Sequence, residues 1–283
     1  RGGTNMTFYG MDADRKAQKL ADAIFAASRR TFKQLGLSDY SETSVELIGA
    51  ESQFGANAQI SHCRELVMKI AAKHPDAAGI GIMLKEAVGL GLATPPGLSG
   101  FAGARPSPSP VVRLFSFALP KGTAQIEVEI DGVTYEVADT PGQPFSAQNL
   151  QRPTKPAAPT DATVSVPLIK LAWGRSGDKG DKANVGIIAR RPEYLPYIHA
   201  ALTEQAVADC FAHFLPAQAA GKIASYVDRY LMPGSHAINF LIHDVLGGGG
   251  MASIRNDAQG KGYGQILLAL SIPVSAEIAQ QLK

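Results

Sequence analysis

Cysteine is scarce in this sequence. Only Cys63 and Cys210 occur in 283 residues, far apart and without CxxC spacing. That excludes a disulfide framework and a thiolate zinc site, and it fits a reducing, cytoplasmic setting. A dominant charge is missing too. The net charge is +2, and no run of Lys and Arg interleaved with aromatics forms a stripe, so nucleic acid is not an expected partner. No uninterrupted apolar stretch reaches the roughly 18–20 residues of a membrane-spanning helix, and no charged segment leads into a short apolar one. Neither a membrane partner nor export is expected, and no repeat of solenoid length is visible. What is present is a chain with 45% apolar and 18% charged residues, of globular type and long enough for two domains. Its partners are expected to be small molecules or protein.

The composition changes between Thr140 and Ser165, where TPGQPFSAQNLQRPTKPAAPTDATVS is rich in Pro, Thr, Ser and Ala and favours extended chain. Before it, ADRKAQKLADAIFAASRRTFKQLGL predicts a helix with Ala17, Leu20, Ala21, Ile24, Phe25 and Phe32 at helical spacing. Asp12 or Asp14 would cap it and Gly36 would stop it. SVELIGAES reads as a strand entering a turn, CRELVMKIAAKHP as a second helix, and GIGIMLKEAVGLG as helix or strand. PVVRLFSFALP, AQIEVEID and VTYEVAD read as strands, the last two joined at Asp131-Gly132. After the linker, VPLIKLAW, NVGIIAR, KIASYVDRYLM, HAINFLIHDVL and QILLALSIPV read as strands. PEYLPYIHAALTEQAVADCFAHFL reads as one long helix, and SAEIAQQL allows a short one. The order gives an α+β arrangement, one sheet with helix on one face.

The segment RSGDKGDKANVG, Arg175 to Gly186, is expected to be a loop of about ten residues between two strands, longer than a hairpin needs. Gly177 and Gly180 permit close approach of main-chain N–H groups, and Lys179 and Lys182 are suited to neutralising an anion. Asp178 and Asp181 could orient those lysines, exchange a proton or hold a divalent ion. The plain alternative is a solvated loop whose Asp and Lys pair with each other. A second stretch, LGGGGMASIRNDAQGKGYGQ, formally fits GxGxxG/A at Gly247, Gly249 and Ala252. SIRNDAQGKGYG is too rich in Gly, Asn and Asp to open the helix a dinucleotide needs. It leaves Arg255, Asp257, Gln259 and Lys261 as polar groups that would meet the first loop at one end of the sheet. His236 and His243 are seven residues apart on a strand, hence on opposite faces, and no shared metal is expected. Glu46 and Glu51 flank the turn in VELIGAESQFG. Glu51 reads as a solvent-facing turn residue, with small neighbours that would leave room for a ligand.

GRSGDKGDKANVGIIAR, FLIHDVLGGGG and SIRNDAQGKGYGQILL resemble the C-terminal ferredoxin-fold domain of the acyclic terpene utilisation protein AtuA family. GMDAD and SVELIGAESQFG resemble the end of that family's larger N-terminal domain. Members of the family continue upstream of Arg1, so part of the large domain is expected to be absent here. The resemblance implies an α/β N-terminal part over residues 1–140, a Pro-rich linker over 141–163 and an α+β ferredoxin-like domain over 164–283. It carries over Ser176 to Asn184 and Arg255 to Lys261 as a site, without a mechanism and without a named cofactor. The family is named for pathways that degrade citronellol- and geraniol-type compounds, whose intermediates are branched acyl-CoA thioesters. The expectation is an enzyme or enzyme subunit of branched acyl or carboxylate catabolism, of hydratase or dehydratase type. Asp178 and Asp181 are the expected catalytic candidates, one or the other exchanging a proton, and Arg175, Ser176, Lys179, Lys182, Asn184, Arg255, Asp257 and Lys261 the expected contacts to an anionic substrate. No metal is expected, and a homo-oligomer is. The rival reading is a non-catalytic module for self-association or partner docking.

Overall fold

The computed structural model describes residues 1–100, 103, 105–140 and 142–282; residue 141, where the expected linker begins, lies outside them. The first segment contains β1 (Gly2–Tyr9), α1 (Ala13–Leu35), β2 (Glu42–Ile48), β3 (Glu65–Lys73), α2 (Ala77–Gly91) and β4 (Leu98–Ser99). The strands form an antiparallel sheet in the order β2-β3-β1-β4. Helix α1 buries the periodic residues from Ala17 to Phe32 and ends at Gly36, which takes a left-handed conformation at φ 69°. Asp12 stands at its N-terminus, but its side chain caps nothing and lies 3.6 Å from Arg15 instead. The ambiguous run GIGIMLKEAVGLG lies in α2, capped by Asp76 through the Ala78 N–H.

CRELVMKIAAKHP is not a helix. It is β3, paired with β1 on one side and β2 on the other. Leu66, Met68, Ile70 and Ala72 alternate into the core beneath the helices, a period of two that the helix-forming character of Leu, Met, Ala and Lys conceals. The expected strand PVVRLFSFALP has no strand partner among the described residues and is irregular chain.

The last segment contains β7 (Val164–Pro167), β8 (Ala172–Lys179), β9 (Lys182–Ala189), α3 (Leu195–Ala201), α4 (Glu204–Cys210), β10 (Val227–Met232), β11 (Ala237–Ile242), α5 (Gly249–Ala252), α6 (Tyr263–Leu268), β12 (Ser271–Val274) and α7 (Ala276–Gln281). It mixes helices and sheets throughout, in line with the α+β expectation. Strands run antiparallel in the order β10-β11-β9-β8, and β12 pairs separately with β7. The long helix predicted from PEYLPYIHAALTEQAVADCFAHFL breaks at Leu202, and Thr203 restarts it by accepting from the Ala206 N–H. QILLALSIPV divides into α6 and β12, since an apolar run of this length fits either period. Helix α6 packs on β8 and β9, and α4 on β10, closing a core around Phe211, Phe240, Ile187 and Tyr263.

The compact units are cut differently from the expected 1–140, 141–163 and 164–283. Residues Arg1–Arg113 and Lys155–Lys283 form one unit, and Leu114–Thr154 a second. The second holds a hairpin of β5 (Glu127–Ile130) and β6 (Val133–Glu136), turning at Asp131-Gly132 as expected.

Candidate functional site

The stretch expected as a ten-residue loop is ladder. Arg175 to Lys179 belong to β8 and Lys182 to Gly186 to β9, paired in register from Lys179↔Lys182 to Arg175↔Gly186. Only Gly180 and Asp181 turn, with Gly180 at φ 69° in the first turn position. Because successive strand residues face opposite ways, the site residues are divided. Ser176 and Asp178 face the helices. Arg175, Lys179, Lys182 and Asn184 face the opposite, open side. Lys261 rejoins the two sets at the free edge of β8. Its Nζ lies 3.8 Å from the Asp178 carboxylate, and a Cβ on Gly177 would stand 3.1 Å from it. Lys179 donates to the Asp178 carbonyl oxygen at 2.8 Å, and Asn184 to Asn239 at 2.9 Å.

Ser176 is a joint between the two stretches. Its hydroxyl donates to the Lys261 carbonyl at 3.1 Å and accepts from the Gly264 N–H at 2.8 Å. Asp257 accepts from the N–H groups of Lys261 and Gly262, both at 2.8 Å, which folds the turn carrying Lys261. Asp181 is committed in the same way. Its carboxylate accepts from the Gly248 N–H at 2.6 Å, and its carbonyl from the N–H groups of Val245 and Leu246. Arg255, expected on the substrate, points into protein. Its guanidinium donates to the carbonyls of Val245 and Phe214 and lies 5.2 Å from the Phe214 ring centre. Asp181 and Arg255 therefore organise the second stretch, while Asp178, Lys179, Lys182 and Lys261 keep open positions around the turn and the β8 edge.

Residues 253–256 are held by a polar network that sequence reading missed. On the face of the first sheet away from α1, Glu46 and Lys69 are cross-strand partners 2.6 Å apart, as are Glu42 and Lys73. Glu46 is 6% exposed. It accepts from Gln53 at 2.6 Å and from the Asn256 N–H at 2.8 Å, and Lys69 also donates to the Ile254 carbonyl. Arg1 donates to the Ser253 carbonyl and Lys73 to that of Gly247. The available signal was the matched four-residue spacing of Glu42/Glu46 and Lys69/Lys73, visible only once both segments are taken as paired strands.

Glu51 takes a left-handed conformation, φ 54°, and its carboxylate accepts from the N–H groups of Gln59 and Ile60. It borders a cleft of about 340 Å³ with Phe54, Ile266 and Leu270. His243 lies 2.8 Å from Asp228, across from β11 to β10. Among the described residues, no group of three or more His, Cys, Asp and Glu converges as metal ligands. No helix among them is long and apolar enough to cross a membrane.

Burial raises the Tyr263 hydroxyl above its ordinary range, where it donates to the Val245 carbonyl between the stacked rings of Phe211 and Phe214. Burial likewise pushes the Cys210 thiol up to about 12. His213, tucked against Gly55 and donating or accepting at the Gln53 carbonyl, is lowered chiefly by desolvation, with Arg255 adding to the effect.

Residues 1–130 match the family model described as acyclic terpene utilisation family protein AtuA, and residues 166–273 match the one described as AtuA ferredoxin-like domain. No curated protein and no solved structure matches the chain.

Proposed function

The chain belongs to the AtuA family of acyclic terpene utilisation, and from that premise we propose that it is an enzyme, or a subunit of one, acting on branched acyclic acyl or carboxylate compounds. The chemistry is addition or removal of water across a double bond activated by an adjacent carbonyl. The observation that carries this reading is the position of the Lys261 ammonium, 3.8 Å from the Asp178 carboxylate at the open edge of β8, with Lys179 and Lys182 at the adjoining turn. Cations placed there attract and orient an anionic substrate, and a carboxylate beside them is placed to move a proton.

In the hydration direction, Asp178 accepts a proton from the attacking water as its oxygen bonds to the β-carbon. The protonated carboxyl then delivers that proton to the α-carbon, so the elements of one water are added and the carboxylate is restored. Asp181 takes no part in this step, because its carboxylate is already bonded to the Gly248 N–H.

The test pairs binding with turnover. Thermal-shift titrations with branched acyl-CoA thioesters and with the free branched carboxylates distinguish the two anion sources, since a ligand of the native state raises its apparent stability. Asp178→Asn is expected to retain the shift and lose turnover, and Lys261→Ala to lose the shift. Full turnover in Asp178→Asn, or no shift with either ligand class, overturns the proposal.

A further inference from the structure

We propose that the open face of the sheet β10-β11-β9-β8 is the contact surface of a two-fold dimer of this chain. Helices α4 and α6 cover the other face. Facing away from them are Trp173, Ile188, Tyr230 and Met232, which remain 52, 43, 49 and 51% exposed. Four large side chains grouped on one flat surface exceed the scattered apolar exposure normal for a monomer, and such patches mark contact surfaces.

The ladder register shows which occupant fits. From β10 to β8, one row across this face reads Met232, Ala237, Ile188, Trp173, and the next reads Tyr230, Asn239, Gly186, Arg175. A two-fold axis in the contact plane, parallel to the strands, keeps each row at its level and reverses its order. Met232 then faces Trp173 of the second copy and Ala237 faces Ile188. In the next row Asn239 faces Gly186, and Tyr230 faces Arg175. Large side chains oppose small ones at the centre, and a guanidinium opposes an aromatic ring at each margin, an attractive pairing. Asp228, whose carboxylate accepts from the Tyr230 hydroxyl at 3.3 Å, supplies a negative charge beside that guanidinium. An in-plane axis perpendicular to the strands and through the Arg175 row sets Arg175 against Arg175 and Trp173 against the Gly177 row, so charge and size both disfavour it there.

The face is thus complementary to itself in size and charge, which is what an isologous contact requires. Sheets stacked this way lie about 10 Å apart with their strands nearly aligned. Lys179 and Lys182 lie two same-face steps beyond the Arg175 row, past Gly177 and Asn184, so the cationic turn lies at the rim of the contact and the dimer stands independently of the reaction proposed above.

Light scattering coupled to size exclusion tests this on the full chain. The wild type is expected at twice the chain mass, and Trp173→Glu and Met232→Lys at the chain mass with unchanged circular dichroism. Arg175→Asp and Asp228→Arg, surface changes that leave the core intact, are each expected to weaken the dimer. The double reversal is expected to restore it. A monomeric wild type, or a dimer that none of these four substitutions weakens, overturns the proposal.

Discussion

From Arg175 to Gly186 the backbone is satisfied largely by strand ladders, whereas from Val245 to Gly264 it is satisfied largely by side chains, some from within the stretch and some from elsewhere. Both stretches are glycine-rich and polar. The first needs only a two-residue turn, so its charged side chains apart from Asp181 keep open positions at the turn and the edge. The second makes four-residue α5 and little else before α6, and Asp181, Arg255, Asp257 and Glu46 are consumed in shaping it. Charged residues of the same type thus do opposite work. In a ladder they remain available for chemistry, and in an irregular segment they replace the missing backbone partners.

The largest expected effect comes from Glu46→Ala, which removes a buried carboxylate and leaves the mostly covered Lys69 and the Asn256 N–H without it. Breaking a buried pair from one side costs about 3–5 kcal/mol, measurable by urea unfolding. Gly249→Ala follows. At φ 70° the new Cβ would stand 2.2 Å from the Gly180 carbonyl oxygen, so about 1–3 kcal/mol of backbone strain is expected in addition to displacement of the turn. The sharpest comparison is between the two aspartates. Asp181→Ala is expected to lose about 1.5 kcal/mol with the hydrogen bond to Gly248, while Asp178→Ala is expected to stay within about 0.5 kcal/mol of wild type. Equal losses would remove the contrast between ladder and irregular segment.

The smallest effect is a pH dependence. In the unfolded chain His213 takes a proton near the ordinary 6.5, and in the folded chain its value is lower. Between these values the unfolded state binds more protons, so stability falls as pH drops through 6.5 and the loss is complete below the folded value. His213→Gln is expected to flatten that slope in denaturant titrations followed at several pH values.

Much of the fold was legible where one period dominated. Helix α1 displays its buried stripe from Ala17 to Phe32, and the Asp131-Gly132 hairpin its alternation. β3 was hidden because Leu66, Met68 and Ala72 are strong helix formers, and only pairing on both sides makes them a strand. RSGDK was hidden for the converse reason. Ser, Gly and Asp disfavour strands, and the ladder with β9 overrides them. The site was accordingly legible as a set of residues and illegible as an arrangement. Asp178 and Lys261 do approach each other, while the division of Arg175 and Lys179 from Ser176 and Asp178 follows only once the strand is known.

One small feature bears on how the last segment connects to anything else. β7 and β12 pair Val164 with Val274, and Thr163 donates to the Val274 carbonyl at 2.9 Å. The start of β7 therefore lies beside the end of β12, one strand spacing of about 4.8 Å away, with α7 following β12. Force applied between Val164 and Val274 would open a short zipper of four residue pairs before reaching the core.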